Sequence, residues 1–193
     1  VKATTDEVGK RVDWLVSVFH DNAGIVKFDE NWNFALKAET HNSPSALDPY
    51  GGAITGIVGV NRDVLGAGLG CRCIFNTDVF CFATPFFDGV IPARLMHPRR
   101  VLRGVHQGVK DGGNQSGIPN LNGAIVFHER FLGKPLVFCG TGGLIPATIN
   151  GKPSHEKCAK PGDLIVMCGG RIGKDGIHGA TFSSLELHTD SET

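Results

Sequence analysis

The stretch from Phe34 to Asp63, FALKAETHNSPSALDPYGGAITGIVGVNRD, constrains this chain more than any other. It opens with alternation. Phe34, Leu36 and Ala38 are interleaved with Lys37, Glu39 and His41, and a two-residue period sends the two sets to opposite faces of a strand. The expected arrangement packs the apolar set on a core and aligns an ammonium, a carboxylate and an imidazole on the other face. Polar side chains then dominate as far as Asp48, and Pro44, Pro49, Gly51 and Gly52 turn the chain. Ala53 to Val60 is apolar enough for a buried helix, although Gly56 and Gly59 each cost about 1 kcal/mol against Ala. The expectation is a helix packed unusually close to its sheet, leading to a second charged knot, Asn61-Arg62-Asp63.

A bare Lys-x-Glu on a strand is compatible with two side chains that merely pair in water. Here the separated carboxylates Glu39 and Asp63 accompany Lys37 and a glycine-rich segment. Glycines let a backbone approach an anion closely, and carboxylates with a fixed cation suit magnesium-bridged phosphates. Phosphate chemistry is the better reading.

Charge narrows the partners. Nineteen basic residues balance nineteen acidic ones in 193, which argues against broad capture of nucleic acid or of an anionic membrane. The apolar runs fall short of a membrane span, and no basic, apolar secretory leader opens the sequence. The length suits one sizeable core, or one domain with part of another. Twenty-seven glycines without a period predict turns and close backbone approaches rather than a repeat array. The cysteines show neither zinc spacing nor a redox motif: Cys71-Arg72-Cys73 is C-x-C, Cys158 is isolated, and Cys81, Cys139 and Cys168 lie in apolar, strand-like runs. A reduced, cytoplasmic protein is the simplest account.

Ahead of the central stretch, Thr4-Thr5-Asp6-Glu7 has a capping-box pattern. Val8, Val12, Leu15, Val16 and Phe19 then recur on one face of an expected helix, which Asn22 and Gly24 end. Ile25 to Phe28 and Phe34 to Glu39 read as strands joined by Asp29-Glu30-Asn31. Further on, Cys71 to Ala83 reads as a long strand, and a proline-bounded loop from Thr84 to Pro98 leads to a second amphipathic helix. Val101, Leu102, Val105 and Val109 form its apolar stripe, Arg99, Arg100, Arg103 and Lys110 its solvated face, and Asp111-Gly112-Gly113 its expected end. Strands around Ala124 to Phe127, Leu136 to Cys139 and Leu164 to Cys168 complete the order α-β-β-α-β-α-β-β-β. That order predicts an α+β fold with a mixed sheet rather than regular βαβ winding.

The last expected strand runs into GGRIGKDGIHG, Gly169 to Gly179. It is not a Walker A loop, because three residues rather than four separate Gly169 from Gly173-Lys174, and Asp175 follows where Ser or Thr is required. Neither this stretch nor Gly66-Ala67-Gly68-Leu69-Gly70 fits G-x-G-x-x-G. Both read as turns, and Gly173, Lys174 and Gly176 make an amide-rich, basic loop able to bind an anion.

ETHNSPSALDPYGGAITGIVGVNRD closely resembles the signature of the phosphoribosylformylglycinamidine synthase family, the synthetase component of the purine-pathway amidotransferase. GNQSGIPNLNG and PSHEKCAKPGDLIVMCGGRIGKDGIHGATFSS resemble later stretches of the same family, in the same order. The resemblance implies the fold shared with aminoimidazole ribonucleotide synthetase. In that fold an N-terminal α+β domain, a mixed sheet with helices on one face, pairs its sheet with a second copy into a barrel, and a C-terminal domain completes each site. It implies an ATP-dependent carbon–nitrogen ligase. Formylglycinamide ribonucleotide, ATP and ammonia from a glutaminase subunit or domain give the amidine, with Mg2+ required. Residues 1–168 would be the N-terminal synthetase domain and 169–193 the start of the C-terminal one.

Carried over residue by residue, the resemblance makes Lys37 the ATP-contacting lysine and Glu39 and Asp63 two magnesium carboxylates. Thr40, His41, Asn42 and Ser43 become the substrate-contacting turn, Arg62 a substrate-binding arginine, and His41 the general acid/base. Ser43 stands where many relatives carry a second histidine, so no role for that imidazole transfers. The family's upstream histidine loop would lie before Val1 and its later glutamine and aspartate motifs after Thr193, so the isolated chain is expected not to make the amidine. Two rivals are another ATP-using member of the superfamily and a non-catalytic nucleotide-binding or dimerisation module. Magnesium-dependent ATP binding without turnover would indicate the module.

Overall fold

The computed structural model describes residues 1–157 and 159–170, so Cys158 and the loop residues Gly173, Lys174 and Gly176 lie outside the described residues. The first helix, α1 (Lys2–Gly9), is short and buries no residue. The expected apolar stripe does not continue: Leu15–Ser17 is a strand, β1, paired with β2 (Gly24–Lys27), with Leu15 opposite Val26. Gly9 ends the helix after two turns, and Leu15 and Val16 gain a strand partner that a longer helix would forgo.

The next strand, β3 (Trp32–Thr40), leads through a one-and-a-half-turn helix, α2 (Asn42–Leu47), into α3 (Pro49–Leu65). Strand β4 (Arg72–Phe82), helix α4 (Pro98–Ser116), edge strand β5 (Asn120–Phe127) and central strand β6 (Leu136–Pro146) follow. The six strands run in the order β1-β2-β3-β6-β4-β5. Every pair is antiparallel except β4–β5, so the sheet is mixed, as the element order predicted. A two-residue hairpin, β7 (Thr148–Ile149) with β8 (Lys152–Pro153), turns on Asn150 and Gly151, both at positive φ as such tight turns require. Among the described residues no helix is long and apolar enough to cross a membrane.

Helices α3 and α4 cover one face of the sheet. α4 has Pro98 in its first turn, His97 accepting a hydrogen bond from the Arg99 amide, and Gly117 in the left-handed conformation at its end. It runs through Asp111-Gly112-Gly113, where a stop was expected. The reason is spacing: Gly104, Gly108 and Gly112 recur every four residues and form a groove on which α3 lies. A Cβ on Gly108 would stand 2.5 Å from the Tyr50 carbonyl oxygen, and one on Gly112 would stand 2.5 Å from Ile57 Cγ2. The core beneath contains Ala53, Ile57, Val60, Val101 and Val105 from the helices and Phe80, Phe82, Val137 and Cys139 from the sheet. Val64 packs with Ile25, Ala35 and Ile145 in a second cluster.

The alternation along β3 is as expected, but its faces are exchanged. Asn33 and Ala35 are buried on the helix side, where Lys37 also points, whereas Leu36 is 46% exposed on the other. Phe34 stacks on Phe75 at 6.2 Å, and both rings lie over Gly142 on this uncovered face. α1 lies at its β1–β3 end. The helices settle the matter: Lys37 reaches carboxylates beside α3, while Phe34, Leu36 and Phe75 lie on the face that α3 and α4 leave uncovered. Strand β6 also runs on to Pro146, past the expected end at Cys139. Gly142 makes room for the two Phe rings, and Gly143 for Val64. Leu164 to Cys168 forms no strand; Leu164, Ile165, Val166 and Met167 are all exposed, and an apolar run without a ladder partner has nothing to pair with.

Candidate active site

Strand β3 and the C-terminal turns of α3 meet at Lys37. Its ammonium lies 2.9 Å from Asp63 Oδ2 and 3.2 Å from Glu39 Oε2. Burial works against the charged ammonium, but hydrogen bonds to Asp63 and Glu39 outweigh it and hold the Lys37 pKa above the ordinary lysine value. The two carboxylates differ. The Asp63 side chain is 6% exposed, against 49% for Glu39. Arg62 turns outward, 79% exposed, with its guanidinium 3.3 Å from Asp63 Oδ1. The result is a buried anion flanked by two cations, with a second carboxylate at the surface.

His41 follows at the end of the strand and starts α2. Its amide donates to the Val137 carbonyl at 2.8 Å, and its side chain packs on α3, where a Cβ on Gly56 would be 3.1 Å from His41 Cβ. The expected close packing of this helix is therefore found, and glycine permits it. Burial lowers the His41 pKa, opposed in part by the Gly52 backbone and the Glu39 charge, so the imidazole is neutral at pH 7. His41 Nδ1 is buried and finds no hydrogen-bond partner among the described residues. Asn42 Oδ1 accepts from the Val137 amide at 2.7 Å, and Ser43 Oγ accepts from Lys134 Nζ at 3.3 Å. These bonds pin the turn to the start of β6 and to Lys134 just ahead of it. Thr40 is exposed at the end of β3.

The structure thus gathers Lys37, Glu39, Arg62 and Asp63 into one cluster and sets the turn from Thr40 to Ser43 beside it. Among the described residues no group of three or more His, Cys, Asp or Glu side chains could hold a metal ion. Two carboxylates nevertheless suit Mg2+, which keeps waters and takes further oxygens from bound phosphates. Lys134 escaped the sequence reading, because nothing local relates it to Ser43, 91 residues away.

A cavity of about 500 Å³ lies elsewhere, between α4 and the β4–β5 edge, and none of the clustered residues lines it. Its floor includes Asp78, 3% exposed, which accepts a hydrogen bond from Asn120 while its Oδ1 has no partner among the described residues. Burial raises the Asp78 pKa to about 6, against the lowering influence of the Cys139 thiol and the Asn120 amide. The sign follows directly. The fold holds the proton more tightly than the unfolded chain, so the ionised carboxylate destabilises the fold at and above about pH 6, and the penalty fades towards pH 4. Asp78→Asn should therefore stabilise the chain at pH 8 by up to about 3 kcal/mol, and by much less at pH 4.5. Denaturant unfolding at the two pH values measures it; an equal gain at both would contradict the burial account.

Comparison with known proteins shows the family. The family model for AIR synthase related protein, N-terminal domain, matches residues 20–145. The phosphoribosylformylglycinamidine synthase subunit PurL of Thermoplasma acidophilum is 39% identical over 180 residues, covering 92% of this chain and 22% of that protein. Among solved structures, Thermotoga maritima PurL complexed with FGAR is similar over 100% of this chain and 28% of its own, at 33% identity and a TM-score of 0.69. The same protein complexed with ATP is similar over 75% of this chain and 22% of its own, at 29% identity and a TM-score of 0.54. The chain spans about a quarter of the length of the proteins it matches. The family model covers well over half of the chain, and the mixed sheet with its two covering helices accompanies that match: the chain belongs to the AIR synthase related proteins, as an N-terminal domain of that family.

Proposed function

We propose that this chain is part of a cytoplasmic ATP-dependent ligase of purine biosynthesis, converting formylglycinamide ribonucleotide, ATP and glutamine-derived ammonia to the amidine. The observation that carries the reading is the Lys37 ammonium held between Asp63 and Glu39, with a half-buried, neutral His41 two residues after Glu39. Thermotoga maritima PurL, which resembles this chain and is solved with FGAR and with ATP, supports it.

The chemistry assigned to these residues is phosphorylation of the substrate amide oxygen, with ADP leaving, followed by addition of ammonia and loss of phosphate. Lys37 would place a fixed cation against the transferred phosphoryl group, where charge spreads over its oxygens. Glu39 and Asp63 would hold Mg2+, which supplies further neutralisation of the phosphates. Arg62, largely free in solvent beyond its contact with Asp63, would take an anionic group of the ribonucleotide. Thr40, Asn42 and Ser43 would line the substrate's path, and His41, neutral, would accept a proton as ammonia adds. Residues 1–168 would belong to the N-terminal synthetase domain and 169–193 would begin the next, with Gly173, Lys174 and Gly176 as an anion loop. A glutaminase subunit or domain would supply ammonia.

The test is amidine formation by the full-length protein from ATP, Mg2+, formylglycinamide ribonucleotide and ammonia. Its absence, with ATP still bound, would favour a nucleotide-binding module.

The uncovered sheet face, with Phe34, Phe75 and half-exposed Leu36, would pair with a second copy or a related domain into a barrel. Sedimentation of the 193-residue chain at micromolar concentration should show a dimer that Leu36→Glu disrupts. A monomer at that concentration would count against the pairing.

A further inference from the structure

A buried polar cluster interrupts the apolar core beneath α3. Asn61, Asn76 and Thr141 are each no more than 4% exposed. Asn76 Nδ2 donates to Asn61 Oδ1 at 2.7 Å and to Thr141 Oγ1 at 2.6 Å, and Thr141 Oγ1 donates to Asn61 Oδ1 at 2.8 Å. Asn61 Nδ2 reaches across to Ser116 Oγ on α4 at 3.3 Å, and that hydroxyl donates to the Gly112 carbonyl at 2.6 Å. One side chain of α3 is thus tied to two central strands and to the neighbouring helix. Three apolar residues would fill the same space without the risk of leaving polar groups unpaired. Specific geometry is what such a network adds.

The geometry concerns Asp63. Successive residues of an α-helix turn by about 100°. Val60 and Val64, both fully buried, point straight at the sheet, so Asn61 and Asp63 lie on opposite flanks of that buried stripe. Asn61 faces β4, β6 and α4, while Asp63 faces Lys37 on β3. Smooth valine contacts resist rotation of a helix about its own axis only weakly, but directional hydrogen bonds on one flank resist it strongly. A roll of about 20° at a side-chain radius of about 6 Å would carry the Asp63 carboxylate roughly 2 Å from its place. The ladder reinforces the link, because Thr141 is the direct cross-strand neighbour of both Lys37 and Asn76.

We propose that Asn61, held by Asn76, Thr141 and Ser116, is a positioning residue that fixes the roll of α3 and thereby sets Asp63 against Lys37. Its bearing on magnesium and nucleotide rests on the function proposed above; its bearing on the Lys37–Asp63 pair does not.

The experiment compares Asn61→Leu with Val105→Ala in the full-length protein. Val105→Ala removes core methyls from α4 and serves as a control for lost stability. Two quantities are read: the Lys37–Asp63 separation in a crystal structure of each variant, and the magnesium concentration that half-saturates ATP binding by calorimetry. Asn61→Leu should lengthen the 2.9 Å contact beyond the roughly 4 Å limit of an ion pair. It should raise the magnesium requirement about tenfold, the lower end for losing support behind a metal ligand. Val105→Ala should change neither, even where it lowers the melting temperature as much. Should Asn61→Leu not fold, Ser116→Ala removes only the tie from Asn61 to α4, with the Ser116–Gly112 bond, and should move both readings the same way by less. A Lys37–Asp63 pair left intact by both substitutions would overturn the inference, whatever the nucleotide data show. A lengthened pair with an unchanged magnesium requirement supports the positioning and overturns the assignment of Asp63 to the metal.

Discussion

Replacing His41 by Ala in the full-length protein should lower amidine formation roughly 100-fold or more while leaving magnesium-dependent ATP binding nearly intact. The imidazole is set apart from the charged cluster: it packs on Gly56 of α3, whereas Lys37 contacts both Glu39 and Asp63. Burial lowers its pKa, so it is ready to accept a proton at pH 7 without first losing one. Its unpaired, buried Nδ1 is a polar atom without a structural task among the described residues. His41→Asn retains a polar side chain at the start of α2 but cannot titrate, and should be as inactive as His41→Ala. ATP affinity lost with His41, and turnover kept, would move the residue from proton transfer to nucleotide binding.

The second large effect belongs to Asp63. Asp63→Asn keeps the shape and removes the charge that Lys37 and Arg62 share. The magnesium requirement for ATP binding should rise by at least the 10- to 100-fold that loss of a mere supporting partner costs a metal site. Glu39→Gln should act in the same direction but less, because Glu39 is half exposed and its pairing is screened by water. The order Asp63 above Glu39 comes from burial alone. Equal effects would mean that bound nucleotide buries the two carboxylates alike.

Much of this site was legible in the sequence because its residues are close along the chain. Lys37, Glu39 and His41 share one strand and its end, and Arg62 and Asp63 close the next long helix. Periodicity separated the two faces of β3 correctly but could not say which one the helices would cover. Both faces are partly apolar, and the decision rests on α3 packing over Ala35 rather than Phe34. Gly112 was read as a helix stop because a local signal cannot reveal a neighbouring helix; its spacing from Gly104 and Gly108 was the available clue. Asn61 was visible beside Arg62 and Asp63, yet its partners Asn76 and Thr141 lie 15 and 80 residues away. Long-range polar networks leave no periodic trace. The strand expected at Leu164 to Cys168 failed for a related reason, since hydrophobicity alone supplies no partner strand.

The central claim is that Lys37, Glu39 and Asp63 form a magnesium–phosphate site, and calorimetric titration of ATP into the full-length protein tests it most directly. With Mg2+ present, the wild type and His41→Ala should bind ATP with closely similar affinity, and Asp63→Asn should need at least tenfold more Mg2+ to match them. Chelation of the metal should abolish binding by all three. ATP binding that is indifferent both to Mg2+ and to Asp63→Asn would contradict the claim, and would leave the Lys37 cluster as a solvated ion-pair network on a strand end.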